Sequence, residues 1–172
     1  NSHPASITEK PMSTPPHFQS ARGIASQIIR RQVSAREVLD HFLARIEQHN
    51  PALNAIVWKD ADGARAEADA ADAALDRGQV WGPLHGVPMT VKESFQVAGS
   101  PTTWGSPEFR DNVTDVDALA VQRLKTAGAI VFGKCNVPLM LADYQSYNDN
   151  YGTTNNPWDT SRTPGGSSGG SA

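Results

Sequence analysis

The hydrophobic positions keep one rhythm early in the chain and another later. In "FQSARGIASQIIRR" Ile24, Ile28 and Ile29 share one side of a 3.6-residue repeat, which predicts a helix. "SAREVLDHFLARIEQHNP" predicts a second. Ser34 and Glu37 have the spacing of a capping box, and Val38, Leu39, Phe42, Leu43 and Ile46 form one apolar stripe. Asn50-Pro51 is the expected end of that helix. "DADGARAEADAADAALDRG" reads as an Ala-rich third helix with a weak stripe, stopped by Gly78. Together the three predict a helical cap ahead of the rest of the chain.

After "WGPLHG" the pattern shortens. "GVPMTVKE" is a short β-branched run ending in a lysine, and "AIVFGK" is a fully apolar run, so both read as buried strands. Between them "DALAVQRLKTAG" has the period of an amphipathic helix, with Gly128 at its C-cap. Strand, helix, strand with short connections is a βαβ unit, which predicts a parallel sheet covered by helices. From Tyr144 to Ala172 the pattern dissolves into a long loop of the kind that is functional or disordered.

Composition narrows the function. A chain of 172 residues fits one domain. A net charge of −3 with scattered basic residues argues against nucleic acid and against a basic membrane-binding patch. No apolar run has the length of a membrane span. The single cysteine, Cys135, allows no internal disulfide and suits a reducing, cytoplasmic setting. His3, His17, His41, His49 and His85 lack metal-ligand spacing, so neither a metal nor a cofactor is expected. The polar, Pro-rich residues 1–17 read as a disordered leader, and residues 18–172 as the folded part.

Four stretches invite chemical readings. "GAIVFGKC" has the Gly-x-x-x-x-Gly-Lys spacing of a phosphate loop, but Cys135 stands where a hydroxyl is needed and the intervening residues are strand core. "NVT" at 112–114 is a glycosylation triplet of the kind that arises by chance. Lys92 ends an apolar strand beside Glu93. It is either a lysine reaching to water or a desolvated amine able to take a proton from a serine. The closing "RTPGGSSGGSA" has the composition of a linker, yet its approach, "YGTTNNPWDTSRTPGG", has turn chemistry and a large aromatic anchor. Glycines around two serines also permit unusual backbone and close approach to a ligand.

The ordered pieces "GVPMTVKESF", "PTTWGSPEF", "DALAVQRLKTAGAIVFGKCNVP" and "GTTNNPWDTSRTPGGSSGGSA" resemble the amidase signature family of serine amidohydrolases. The helical region from Phe18 to Asp76 looks like that family's N-terminal portion, so the resemblance covers nearly the whole chain. It implies an α/β fold: a mixed sheet covered by helices, with an N-terminal helical region, incomplete in this chain. It implies hydrolysis of a small linear amide through an acyl-enzyme on a serine, cis-serine and lysine.

By that resemblance Lys92 is the lysine and Ser167 the cis-serine, with Ser168 as the neighbouring alternative. The family's nucleophile lies in a later "Gly-Thr-Asp-x-Gly-Gly-Ser-x-Arg" stretch, and Ser171 is no substitute for it. The chain is therefore expected to be an N-terminal part, inactive alone. Leu141, Ala142 and Asp143 correspond to acyl-site positions in relatives, the alternative being that Leu139–Leu141 is helix core. Two further readings share the motifs: a partner-binding fragment, as a homodimer or with a complementary C-terminal segment, and the amidotransferase branch whose members feed ammonia to aminoacyl-tRNA.

Overall fold

A computed structural model describes residues 14–172. Residues 1–13, most of the expected leader, lie outside that range. Pro16–Phe18 form a short 3-10 turn, followed by α1 (Ala21–Ile29), α2 (Ala35–Leu53), β1 (Ile56–Lys59) and α3 (Ala61–Asp76). Then come β2 (Pro88–Lys92), α4 (Leu119–Thr126), β3 (Ile130–Cys135), β4 (Tyr147–Asn148) and β5 (Gly152–Thr153). Three more 3-10 turns cover Pro107–Phe109, Leu139–Leu141 and Gly169–Ser171.

The helix signals act as their chemistry requires. Ser20 caps α1 by accepting from the Gly23 amide, and Ser34 and Glu37 complete the capping box of α2. Two features differ from the sequence pattern. First, α2 runs through Pro51 to Leu53 and stops at Asn54 in left-handed backbone. Pro51 costs only the partner of the exposed Glu47 carbonyl, while the Asn50 side chain accepts from the Ala55 and Ile56 amides at 2.8 Å and turns the chain. Second, that turn leads into β1, so the early region is not a purely helical cap.

β1 pairs antiparallel with β3, and β2 pairs parallel with β3, giving a mixed three-stranded sheet in the order β1-β3-β2. The larger core joins α1 and α2 to Ile130 and Phe132 of β3. The weak stripe of α3 is a row of buried alanines, Ala64, Ala68 and Ala71, whose small side chains let α2 and α3 approach closely. A smaller core of Val91, Val97, Val121 and Val131 sits under α4. His85 stitches α3 to the start of β2. Its Nδ1 accepts from the Trp81 amide at 3.0 Å, which leaves the proton on Nε2, 3.1 Å from the Ala71 carbonyl. Residues 144–172 are not all loop, because β4 and β5 pair as a small antiparallel hairpin.

The fully buried Leu39 anchors α2 in the larger core. Leu39→Ala is expected to lower unfolding free energy by about 2–5 kcal/mol, and Ser34→Ala by about 1 kcal/mol. Urea denaturation followed by circular dichroism measures both, and a Leu39→Ala cost no larger than that of Ser34→Ala would contradict this core assignment.

Candidate active site

β2 ends at Lys92, in register with Cys135 of β3. The Lys92 Nζ lies 2.7 Å from the Ser167 Oγ. Burial pushes the Lys92 amine below its ordinary range. The peptide between Gly166 and Ser167 is cis. A 2.7 Å separation suits both ionisation states: a charged amine donates to the hydroxyl oxygen, and a neutral amine accepts the hydroxyl proton. Ser167 is half-buried and Ser168 exposed. Among the described residues no hydrogen bond joins the Ser168 hydroxyl to Lys92, so of the two serines only Ser167 meets the lysine.

The glycines around Ser167 are there for close packing. A Cβ on Gly166 would fall 2.6 Å from the Asp143 carbonyl oxygen, and one on Gly170 would fall 2.6 Å from that of Ala55. The Gly169 amide donates to the Ser146 Oγ at 2.9 Å. The segment is thus pressed against residues 143–146 and the end of β3, which a linker would not be. Trp158, by contrast, anchors nothing, being 95% exposed. Its turn is held by polar bonds instead: the Asn156 Oδ1 accepts from the Trp158 amide, and Asp159 accepts from Ser161 and Arg162.

Of Leu141, Ala142 and Asp143, only Asp143 packs on Gly166, together with the backbone of Tyr144 and Gln145. Leu139 and Met140 are each 49% exposed, so this stretch is not helix core. Met140 and Leu141 sit in left-handed backbone, φ 50° and 62°, and the Met140 amide donates to the Trp104 carbonyl at 2.7 Å. Trp104 is itself left-handed, at φ 51°. Such conformations persist in bulky residues only where the surroundings enforce them.

The enforcing groups lie behind the sheet, where sequence reasoning misses them. Glu93 is fully buried. Its carboxylate accepts from the Thr103 amide at 2.6 Å, the Trp104 amide at 3.0 Å and the Tyr151 hydroxyl at 3.1 Å. Lys134, also fully buried, donates to the Pro101 carbonyl and, at 2.9 Å, to the Thr102 Oγ1. These bonds explain the lysine of "GAIVFGKC", whose spacing copies a phosphate loop. An ionisable residue inside an apolar strand is the signal that could have found it. Asn136 is a further buried node, bonding Gly152, Thr154, Val137 and Asn148. Among the described residues no group of three or more metal-ligating side chains occurs.

The fold is a mixed α/β structure of the kind found in amidase signature enzymes. A family model described as Amidase matches residues 37–172, and the chain belongs to that family. It is 44% identical over 154 residues to a glutamyl-tRNA(Gln) amidotransferase subunit of Acidothermus cellulolyticus, covering 90% of this chain and 30% of that one. To the same-named protein of Azoarcus sp. it is 48% identical over 142 residues, covering 83% and 29%. Among solved structures, a bacterial aryl acylamidase matches with a TM-score of 0.84 at 32% identity, covering 91% of this chain and 33% of that one. Fatty acid amide hydrolase matches with a TM-score of 0.85 at 27% identity, covering 91% and 28%. The chain therefore spans about a third of the length of these relatives.

The buried pair behind the sheet leaves a pH signature. Burial lowers the Lys134 ammonium from 10.5 to about 8, opposed by the Glu93 charge. Between those values the unfolded chain is the more protonated, so stability rises with pH across that window. Burial also raises the Tyr151 phenol from 10.0 to about 12, so across that higher window the folded chain is the more protonated and stability falls. Lys134→Met is expected to shrink the rise to the part that the lowered Lys92 amine contributes while keeping the fall, as read by urea unfolding at successive pH values. An identical rise in parent and variant would contradict the assignment.

Proposed function

We propose that this chain carries the lysine and the cis-serine of an amide-cleaving Ser–cis-Ser–Lys site. The observation that supports the reading is the 2.7 Å approach of a desolvated Lys92 amine to the Ser167 hydroxyl. In this reading neutral Lys92 takes the Ser167 proton, and Ser167 in turn takes the proton of a nucleophilic serine. The freed alkoxide adds to the amide carbonyl, and backbone amides beside the nucleophile hold the oxyanion. Collapse of that intermediate breaks the C–N bond. The proton passes back through Ser167 to the leaving amine or ammonia, and water then hydrolyses the acyl-enzyme by the same route. In this reading the nucleophile is neither Ser168 nor Ser171, which are exposed and not bonded to Lys92 or Ser167. It belongs, in this proposal, to a segment corresponding to the remaining two thirds of the relatives. Leu141, Ala142 and Asp143 line the acyl side of the same site.

Identities of 44% and 48% to glutamyl-tRNA(Gln) amidotransferase subunits favour the amidotransferase branch over a free-standing amidase acting on linear amides. Such a chain would work with partner subunits, depend on glutamine and release ammonia for transfer to aminoacyl-tRNA. The two readings share the cleavage step and differ in the amide used.

Joining residues 1–172 to the remaining segment of the Acidothermus cellulolyticus relative provides a test. The 172-residue chain alone is expected to neither turn over amides nor label with a serine-reactive fluorophosphonate. The joined protein is expected to release ammonia, and Lys92→Ala or Ser167→Ala to lower kcat by about 10²–10⁴-fold. Preference for glutamine over simple linear amides selects the amidotransferase branch. Turnover by the short chain alone that is lost on Lys92→Ala would sink the claim that the nucleophile lies elsewhere.

A further inference from the structure

Lys92 and Glu93 are consecutive, and consecutive residues at a strand end project to opposite sides of the sheet. Lys92 meets Ser167 on one side, and Glu93 is locked into residues 103, 104 and 151 on the other. The Glu93 amide also donates to the Cys135 carbonyl at 2.9 Å, one bond past the end of β2, while its side chain joins the loop beyond. Lys134 grips the preceding two residues of the same loop, Pro101 and Thr102.

We infer that Glu93 and Lys134 are positioning residues for the Lys92–Ser167 pair, clamping residues 101–104 so that both halves of the site are held from behind. Two routes lead from the clamp to the pair. One is covalent: the Glu93 carboxylate pins the chain position directly after Lys92, where the Phe95 amide closes a turn onto the Lys92 carbonyl at 3.0 Å. The other crosses space. The clamp sets the left-handed turn at Trp104, the Trp104 carbonyl receives the Met140 amide, and residues 143–145 that follow press on Gly166. A hydrophobic pair would fill the same volume, but it would leave the Thr103 and Trp104 amides and the Pro101 carbonyl without these partners inside the protein. Two buried charges therefore stand where the loop needs both acceptors and donors.

This inference rests on the reading of Lys92 and Ser167 as a catalytic pair, and its test separates the two. Trace acetylation of the 172-residue chain with acetic anhydride, resolved peptide by peptide across pH, reports the Lys92 amine relative to exposed Lys59. In folded Glu93→Gln the Lys92 profile is expected to move toward that of an exposed lysine by about half a pH unit or more, a threefold change in labelling at fixed pH. Tyr151→Phe and Thr102→Val each delete one hydroxyl of the clamp, are milder, and are expected to shift the profile the same way by less. If Glu93→Gln fails to fold, these two decide. Leu39→Ala, destabilised in the distant core, is expected to leave the profile in place while folded, whereas a merely structural role for the clamp would make all these variants behave alike. An exposed-type Lys92 profile in the unaltered chain overturns the catalytic reading and the clamp with it. A displaced profile that stays unchanged in every folded clamp variant overturns the clamp alone.

Discussion

A lysine amine at the end of a strand and a serine hydroxyl 75 residues further along the chain stand 2.7 Å apart. That approach makes demands on everything around it. The amine must leave water, so Lys92 sits at the rim of a sheet whose strands are buried by α2 and α3 on one side and α4 on the other. The hydroxyl must come to meet it, so Gly166, Gly169 and Gly170 around Ser167 approach their neighbours too closely for a side chain, and Gly169 and Gly170 are buried. In each case the cost of desolvating a polar group is offset by the packing of its neighbours.

The buried charges behind the sheet belong to the same arrangement. Residues 101–104 end in a left-handed turn at Trp104, a backbone course that local preferences would not choose. Glu93 supplies acceptors for their amides, and Lys134 supplies donors for a carbonyl and a hydroxyl. Tyr151, arriving from the small hairpin, adds a donor to the Glu93 carboxylate. The hairpin, the loop and the strand ends thereby converge on one polar knot beside the Lys92–Ser167 contact.

The readable parts of the fold are those written in local chemistry. The capping box at Ser34 and the apolar stripe of α2 each lie within one stretch of sequence, and β2, α4 and β3 are each a short local run. What escapes is short or remote. β1 has four residues between two strong helices, and β4 and β5 have two each, too few for any alternation to register. Pro51 reads as a terminator because Asn50 beside it reads as a breaker, whereas the Asn50 side chain caps the turn that follows. In the candidate site, Lys92 and Ser167 are legible through their motifs and the resemblance they carry. Glu93 and Lys134 are not, since their partners lie 10 to 58 residues away from Glu93 and 32 to 33 from Lys134.

Lys92 is half-buried, and its amine is held against Ser167 and partly out of water. Nitrogen-15 NMR titration of the lysine side chains, with Lys92 assigned by its loss in Lys92→Arg, reads this directly. The account requires a Lys92 midpoint below the ordinary value of 10.5, displaced when Ser167 becomes alanine. A midpoint at the ordinary value, indifferent to Ser167→Ala, would contradict it.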